Sequence, residues 1–463
     1  MKRPPQHFHF LGICGTAMGS VAAALRERGC IVTGSDEKVY PPMSDFLRAH
    51  GIPLTEPYQA ENLPDDAEVV VIGNAIKRGN PEVEAVLNRK LYYLSLPEVL
   101  KEYFLRGRHN LVVTGTHGKT TTTALLTWIL TVGELEPGYV IGGLPRNLGQ
   151  GALFNDARHF VIEGDEYDSA FFDKRSKFLH YLPELLVINN IEFDHADIFD
   201  DLEAVKLSFR RLVNIVPQNG MILLNGDDPN CVEVARDCLA PLVEVGFSAN
   251  CAERIRDVSY SAKGSRFSLG ETTFDSPLIG EFNVRNAAMA AVAARFYGVS
   301  PEVIQTALTS FEGIARRQEV RGETGGVTVI DDFGHHPTAI RETLSALRVR
   351  YPGHRLWAIF EPRSNTTRRA VFQQELPEAL QLVDGIFIAQ IAALEQIPAA
   401  ERLDPEAIIR ALREAGRMAF YEPDAAAIVA RIAPLLQPND VVTVFSNGGF
   451  DGIHAKLLDR LRS

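Results

Sequence analysis

Val112-Val113-Thr114-Gly115-Thr116-His117-Gly118-Lys119-Thr120-Thr121-Thr122-Thr123 is the stretch on which the reading of this chain turns. An apolar strand ends in glycines, and a lysine with a run of hydroxyls then opens a helix. That order is the layout of a phosphate cradle. Glycines let backbone N–H groups approach phosphate oxygens, the helix N-terminus favours negative charge, and Lys119 adds a full positive charge. Thr120 stands where a hydroxyl can ligate the magnesium that accompanies a nucleotide. The general nucleotide pattern has four residues between its glycines. Here only Thr116 and His117 separate Gly115 from Gly118.

Outward from the cradle, strand-like and helix-like patterns alternate through most of the 463 residues. That alternation implies parallel sheets with crossover helices, and the length implies about three domains. The first block begins with an apolar run at His7–Ile13, a glycine-containing turn and a helix from about Ala17 to Arg28. Strands at Ile31–Asp36 and Val69–Ile72 follow, and this Rossmann-type unit closes near Arg108. The second block holds the cradle and strands at His159–Ile162, Leu185–Asn189 and Met221–Leu224. Short antiparallel pieces are expected around Ser248–Gly280, then an Ala-rich helix over Asn283–Tyr297, with an exit linker at Glu312–Arg317. The third block repeats the alternation, with strands at Val327–Ile330, His354–Phe360, Gly385–Ala389 and Val441–Phe445.

The fold class expected is therefore α/β in three domains. These are a Rossmann-like domain over 1–108, a central P-loop-type ATPase domain with a mixed sheet over 109–312, and a Rossmann-like C-terminal domain over 313–463. A hydrophobic content of 46% is ample for such cores. The net charge of −12 argues against nucleic acid or an anionic membrane as the main partner. Five cysteines, an odd number without metal-like spacing, fit reduced thiols. No window approaches a membrane-spanning apolar run, and Met1-Lys2-Arg3-Pro4-Pro5 leads into a strand rather than a signal segment. A cytoplasmic location is expected.

Several loops could carry chemistry. In the first turn, Gly12-Ile13-Cys14-Gly15-Thr16-Ala17-Met18-Gly19, the glycine spacing does not match the nicotinamide-dinucleotide fingerprint. Such a turn can still hold a diphosphate, with Asp36 where an acid often meets a ribose. A tight turn that needs small residues for packing is the competing reading. Two acidic clusters, Glu163-Gly164-Asp165-Glu166-Tyr167-Asp168 and Glu192-Phe193-Asp194-His195-Ala196-Asp197, follow strands on the ligand edge of the sheet. They suit magnesium, which prefers oxygen ligands; solvated acidic loops are the alternative. A substrate carboxylate about 4 Å from one phosphate charge is repelled by roughly 4 kcal/mol at an effective dielectric near 20. Magnesium and Lys119 would offset that repulsion.

In the third block, Asp331-Asp332-Phe333-Gly334-His335-His336-Pro337 follows a strand and precedes a helix. Adjacent side chains diverge, so polar contacts to nucleotide or substrate fit this motif better than a zinc site. Glu361-Pro362-Arg363-Ser364-Asn365-Thr366-Thr367-Arg368-Arg369 places three arginines where a ligand with several carboxylates could be held, or forms an ordinary basic helix start. Phe445-Ser446-Asn447-Gly448-Gly449-Phe450 is a further polar loop. If the strands are parallel, these three loops share one edge.

The shortened cradle resembles that of the Mur ligases and their folyl-polyglutamate relatives, which couple ATP hydrolysis to amide bond formation. Gly-x-Cys-Gly at 12–15, Glu163-Gly164-Asp165-Glu166, Asp194-His195, Asn283-x-x-Asn286, Arg316-Arg317 and Asp331–Pro337 extend the likeness over all three blocks. The resemblance implies a uridine-nucleotide domain, a central ATPase and a C-terminal domain that receives the amine. Most of these motifs are similar to the alanine-adding branch. The stretches 166–178, 192–199, 361–366 and 446–450 are similar instead to the branch that returns a recovered tripeptide, L-alanyl-γ-D-glutamyl-meso-diaminopimelate, to UDP-N-acetylmuramate in murein recycling.

On that resemblance Lys119 would hold the β- and γ-phosphates, Thr120 and Glu163 a first magnesium, and His195 a second. The catalytic set would be Lys119, Glu163 and His195. Gly115, Thr116, Gly118, Thr121, Asn283 and Asn286 would face ATP, joined by Arg317 and Asp332 from across the domain boundary. Gly12, Cys14, Gly15, Thr16, Ala17, Met18 and Asp36 would hold the UDP-sugar. His117, His336, Arg363, Asn365, Arg368 and Asn447 would contact the reacting groups or the peptide. A monomer or weak homo-oligomer is implied, without nucleic acid or membrane insertion. The chain departs from the family at Phe282, where a histidine often precedes the first nucleotide asparagine. Lys206 follows His195 at a distance plausible for the carbamylated lysine of several relatives, but it reads as a plain helix-surface lysine. The alternatives are the alanine-adding ligase, a non-ligase ATPase or kinase, and a UDP-sugar-binding sensor.

Overall fold

Apolar runs set the sheets. His7–Leu11, Val69–Ile72, Leu185–Ile188, Leu356–Phe360, Gly385–Ala389 and Val441–Phe445 are buried along their whole length. Strands covered on both faces belong in parallel sheets flanked by helices, and burying each Val, Leu or Ile side chain contributes about 1.5–3 kcal/mol. The computed structural model describes residues 6–392 and 394–462. The expectation for Met1–Pro5 lies outside the described residues.

Among the described residues the first sheet has five parallel strands, in the order Leu54–Thr55, Ile31–Ser35, His7–Leu11, Val69–Ile72, Tyr93–Ser95. The chain leaves His7–Leu11 toward one edge and later returns on its other side. The Gly12–Gly15 turn therefore sits at a topological switch point, where open α/β sheets bind ligands. The second sheet has ten strands and is mixed. Leu242–Gly246, Met221–Asn225, Leu185–Ile188, His109–Thr114, His159–Glu163 and Gly138–Val140 run parallel, and antiparallel hairpins extend both ends. The helices Lys119–Val132 and Glu281–Phe296 pack together over one face of this sheet. Alanines on the second helix allow the close approach.

The third sheet orders Glu319–Thr324, Val327–Asp332, Val441–Phe445, Leu356–Phe360, Gly385–Ala389 and Met418–Glu422. All but the first strand are parallel. Asp332 and Phe360 both pair with Phe445, so the loops that begin at Phe333, Glu361 and Ser446 leave the same edge together.

Differences from the sequence reading lie at ends and edges. The Ala-rich helix begins at Glu281, because Gly280 takes φ +105° and marks the break. Leu54–Thr55, Tyr93–Ser95, Gly138–Val140, Leu242–Gly246, Glu319–Thr324 and Met418–Glu422 were not expected as strands. Each is short or mixes buried with exposed positions, which leaves little periodic signal. No helix among the described residues is long and apolar enough to cross a membrane. All five cysteines are free thiols.

Candidate active site

The phosphate loop is built by sterics. Gly115 and Gly118 take φ +128° and +78°. A Cβ on Gly118 would lie 2.5 Å from Asn286 Oδ1, and one on Gly115 would lie 3.0 Å from the Asn190 amide. Neither position accepts a side chain. Thr116 N–H donates to Asn190 O at 3.0 Å and His117 N–H to Asn190 Oδ1 at 2.7 Å, which pins the loop to the neighbouring strand end. Gly118 brings no side-chain cap to the helix Lys119–Val132, so its first-turn N–H groups stay available to an anion.

Lys119 Nζ donates to Gly115 O at 2.7 Å and to the two Glu166 carboxylate oxygens at 2.9 and 3.1 Å. Burial opposes the charge on Lys119, but Glu166, Asp165 and Glu163 outweigh it and raise its pKa. Burial likewise opposes ionisation of Glu166, yet Lys119 and His195 hold its carboxyl below the usual range. His195 Nε2 lies 3.0 Å from Glu166 Oε1, and its ring lies 4.1 Å from that of Tyr167. Burial disfavours its cation, but Glu166 and Asp194 prevail and raise its pKa. Glu163 differs. Burial pushes its pKa up despite Lys119, while its oxygens accept from Thr120 Oγ1 at 3.0 Å and Gly142 N–H at 2.7 Å.

The third sheet reaches into this centre. Arg317 Nη2 donates to Thr120 Oγ1 at 3.4 Å, and its guanidinium sits 5.2 Å from the Phe333 ring centroid. Asp332 accepts from Gln318 and Gly334 N–H at 2.9 and 2.8 Å; burial raises its pKa against Arg317. In the first sheet, Asp36 Oδ2 accepts the Cys14 N–H at 2.8 Å, so it ties the turn together. Burial, then Asp36, push the Cys14 thiol up to about 11, which keeps it protonated at neutral pH.

One cleft of about 1240 Å³ joins these parts. Gly15, Thr16, Ala17 and Met18 line it from the first sheet. Thr116, His117, Gly118, Lys119, Thr120, Thr121, Glu163, His195 and Asn283 line it from the second, and Arg317, Asp332, His336 and Asn447 from the third. Gly12, Cys14, Asp36, Gly115, Asn286, Arg363, Asn365 and Arg368 stand outside its lining. Asn286 accepts from Thr122 Oγ1 at 3.1 Å and backs the phosphate loop. Arg363 is 58% exposed beside Gly448, and Arg368 donates to Asn365 Oδ1. Phe282 lines the cleft. Lys206 does not; it is buried rather than the surface lysine expected, and pairs with Glu203 at 3.0 Å and Glu233 at 2.8 Å.

Sequence reasoning passed over Glu166, which joins Lys119 to His195, and Glu192, which accepts from Thr338 Oγ1 at 2.7 Å. Both lie in the acidic clusters, but spacing could not select among adjacent carboxylates. Glu82 lies outside the cleft lining; fully buried, it accepts from Ser35 Oγ, Asn62 Nδ2 and the Gln59 N–H and braces the first domain. A single helical glutamate carries no signal of its own.

Three family models cover nearly the whole chain: the Mur ligase family catalytic domain over residues 7–108, the Mur ligase middle domain over 113–294, and the Mur ligase glutamate ligase domain over 316–448. The UDP-N-acetylmuramate–L-alanyl-γ-D-glutamyl-meso-2,6-diaminoheptandioate ligase of Escherichia coli strain K12 is 44% identical over 460 residues, with 98% of each chain covered. The chain belongs to the Mur ligase family. A solved murein peptide ligase from Psychrobacter arcticus 273-4 is 36% identical, covers 99% of both chains and superposes with a TM-score of 0.73. The UDP-N-acetylmuramate–L-alanine ligase of Syntrophus aciditrophicus strain SB is 32% identical over 470 residues, covering 100% of this chain and 95% of its own. As a Mur ligase this chain is an amide-bond-forming enzyme of the ATP-dependent class, with the three-domain α/β architecture of that family.

Proposed function

We propose that this Mur ligase joins L-alanyl-γ-D-glutamyl-meso-diaminopimelate to UDP-N-acetylmuramate at the expense of ATP, in murein recycling. What supports the reading is the single cleft into which all three sheets send their ligand edges, together with higher identity to the tripeptide ligase (44%) than to the alanine ligase (32%). The domains would be 1–108 for the UDP-sugar, 109–312 for ATP and 313–463 for the peptide. Glycine turn, phosphate loop and the Asp332–His336 loop would then each present one substrate to the others.

The roles follow from the contacts. Lys119 would exchange its Glu166 and Gly115 partners for the β- and γ-phosphates, and Arg317 would approach the same phosphates from the third sheet. The Thr120 hydroxyl and Glu163 carboxylate make an oxygen pair that fits a first magnesium, with Glu166 and His195 beside a second. Magnesium would supply charge neutralisation on the transferred phosphoryl group. The lactyl carboxylate attacks the γ-phosphorus and releases ADP, giving an acyl phosphate. The alanyl ammonium gives one proton to solvent, the free amine attacks the acyl carbon, and the tetrahedral intermediate collapses as the C–O bond to phosphate breaks and the second N–H proton leaves with the phosphate. Arg363 and Arg368, beside the mouth rather than in the lining, would hold the peptide's outer carboxylates. A monomer or weak homo-oligomer completes the proposal, and ATP as co-substrate suits the cytoplasm.

The test is ATP- and magnesium-dependent phosphate release with UDP-N-acetylmuramate, comparing the tripeptide with L-alanine. Release with tripeptide, matched by a heavier UDP product, is expected. Release with alanine alone would move the chain to the biosynthetic branch.

A further inference from the structure

Three side chains from two sheets converge where the phosphate loop meets the helix Pro337–Arg350. His117 belongs to the loop, Glu192 follows the strand Leu185–Ile188, and His336 caps the helix. His117 Nε2 lies 3.5 Å and His336 Nδ1 3.6 Å from the same Glu192 oxygen, and one ligand atom of each residue lies within 4.8 Å of the others. Bonds of about 2.0–2.1 Å from a tetrahedral ion put its ligand atoms roughly 3.3–3.5 Å apart, close to the two shorter separations here.

Two further observations point to an ion. His117 Nε2 is buried and meets only that Glu192 oxygen, at a distance too long for a good hydrogen bond. His336 Nε2 faces Phe193 O at 3.4 Å and Nδ1 accepts the Thr338 N–H, so the proton sits on Nε2 and Nδ1 carries the lone pair, as in a ligating imidazole. The Glu192 oxygen that faces both histidines also accepts from the Thr338 hydroxyl at 2.7 Å, which fixes the carboxylate in place. The Thr338 N–H, 3.2 Å from Nδ1, is the one contact an ion would displace.

We propose that His117, Glu192 and His336 form a site for a borderline transition-metal dication of the zinc or cobalt class, with a fourth position open to the cleft. Two imidazoles and one carboxylate suit such an ion, whereas magnesium prefers the oxygens at Thr120 and Glu163. The ion would tie the phosphate loop to the third sheet across the cleft. This site does not depend on which amine the enzyme uses.

Cobalt(II) titrated into the full chain in excess magnesium, without nucleotide, reports the site through the intense visible bands of tetrahedral cobalt. One equivalent of such cobalt is expected. His336→Asn, which keeps a helix-capping side chain, should weaken it at least tenfold, and so should Glu192→Gln. His335→Asn should leave the bands in place. If His336→Asn fails to fold, His117→Asn removes a ligand from the other sheet and must give the same loss. Absence of tetrahedral bands in the unaltered chain, or their persistence in His336→Asn or His117→Asn, would overturn the site.

Discussion

At the residue scale, the phosphate loop stores its charge before any nucleotide arrives. Lys119 is folded back onto Gly115 O and paired with Glu166, so ATP must compete with a carboxylate for the ammonium. Lys119→Ala should lower kcat/KM for ATP by about 10²–10³, the usual cost of losing one preorganised charge donor. UDP-N-acetylmuramate binding, followed by calorimetry, should survive; undiminished phosphate release would remove Lys119 from the cradle. Gly118 is equally constrained. Its left-handed backbone alone makes Gly118→Ala cost about 1–2 kcal/mol, and the contact with Asn286 adds to that. A lower urea midpoint is expected, and an unchanged one would mean that the loop relaxes freely.

At the element scale, the segment carrying His195 is held from the far side of the cleft. Asn365 Nδ2 donates to Asp197 Oδ2 at 2.7 Å, Ala196 N–H donates to Thr366 Oγ1 at 3.2 Å, and Thr338 Oγ1 donates to Glu192. His195 itself sits at φ +58°, a conformation that needs such support. Asn365→Ala should therefore lower kcat while leaving UDP-N-acetylmuramate affinity unchanged; equal losses in both would place Asn365 elsewhere. Glu192 sets a pH dependence. Burial opposes its charge, but His117 and His336 hold its pKa at about 2, below the ordinary 4.5. A carboxyl depressed on folding stabilises the fold fully above about 4.5 and loses that contribution as pH falls toward about 2. Thermal melts of Glu192→Gln should fall less steeply with acid across that window than those of the unaltered chain. Parallel acid limbs would mean that Glu192 is not held by those histidines.

At the scale of the whole molecule, function depends on three sheet edges meeting. Arg317 joins two of them, because it lies just before the third sheet's first strand, Glu319–Thr324, and reaches Thr120. Arg317→Ala should raise the ATP KM and lower kcat, with UDP-N-acetylmuramate binding in the absence of nucleotide unaffected; an effect on that binding alone would contradict the cross-cleft role. Much of this was legible in the chain. The apolar runs foretold the parallel strands, and the Gly115–Lys119 spacing foretold a phosphate cradle, because both signals are local; the ligase class came from the resemblance that this and the other motifs carry to the Mur ligases. Edge strands such as Glu319–Thr324 escaped because half-exposed segments lack a clear period. By itself, then, the sequence determined the strand–turn–helix units and the chemical identity of each loop, since propensity, glycine geometry and burial patterns act within a few residues. Only the tertiary structure decided that Glu166 lies between Lys119 and His195, that Asn286 backs the loop while Asn283 faces the cleft, and that His117, Glu192 and His336 converge. Those choices depend on packing between sheets that are distant in sequence, and no spacing along one strand encodes them.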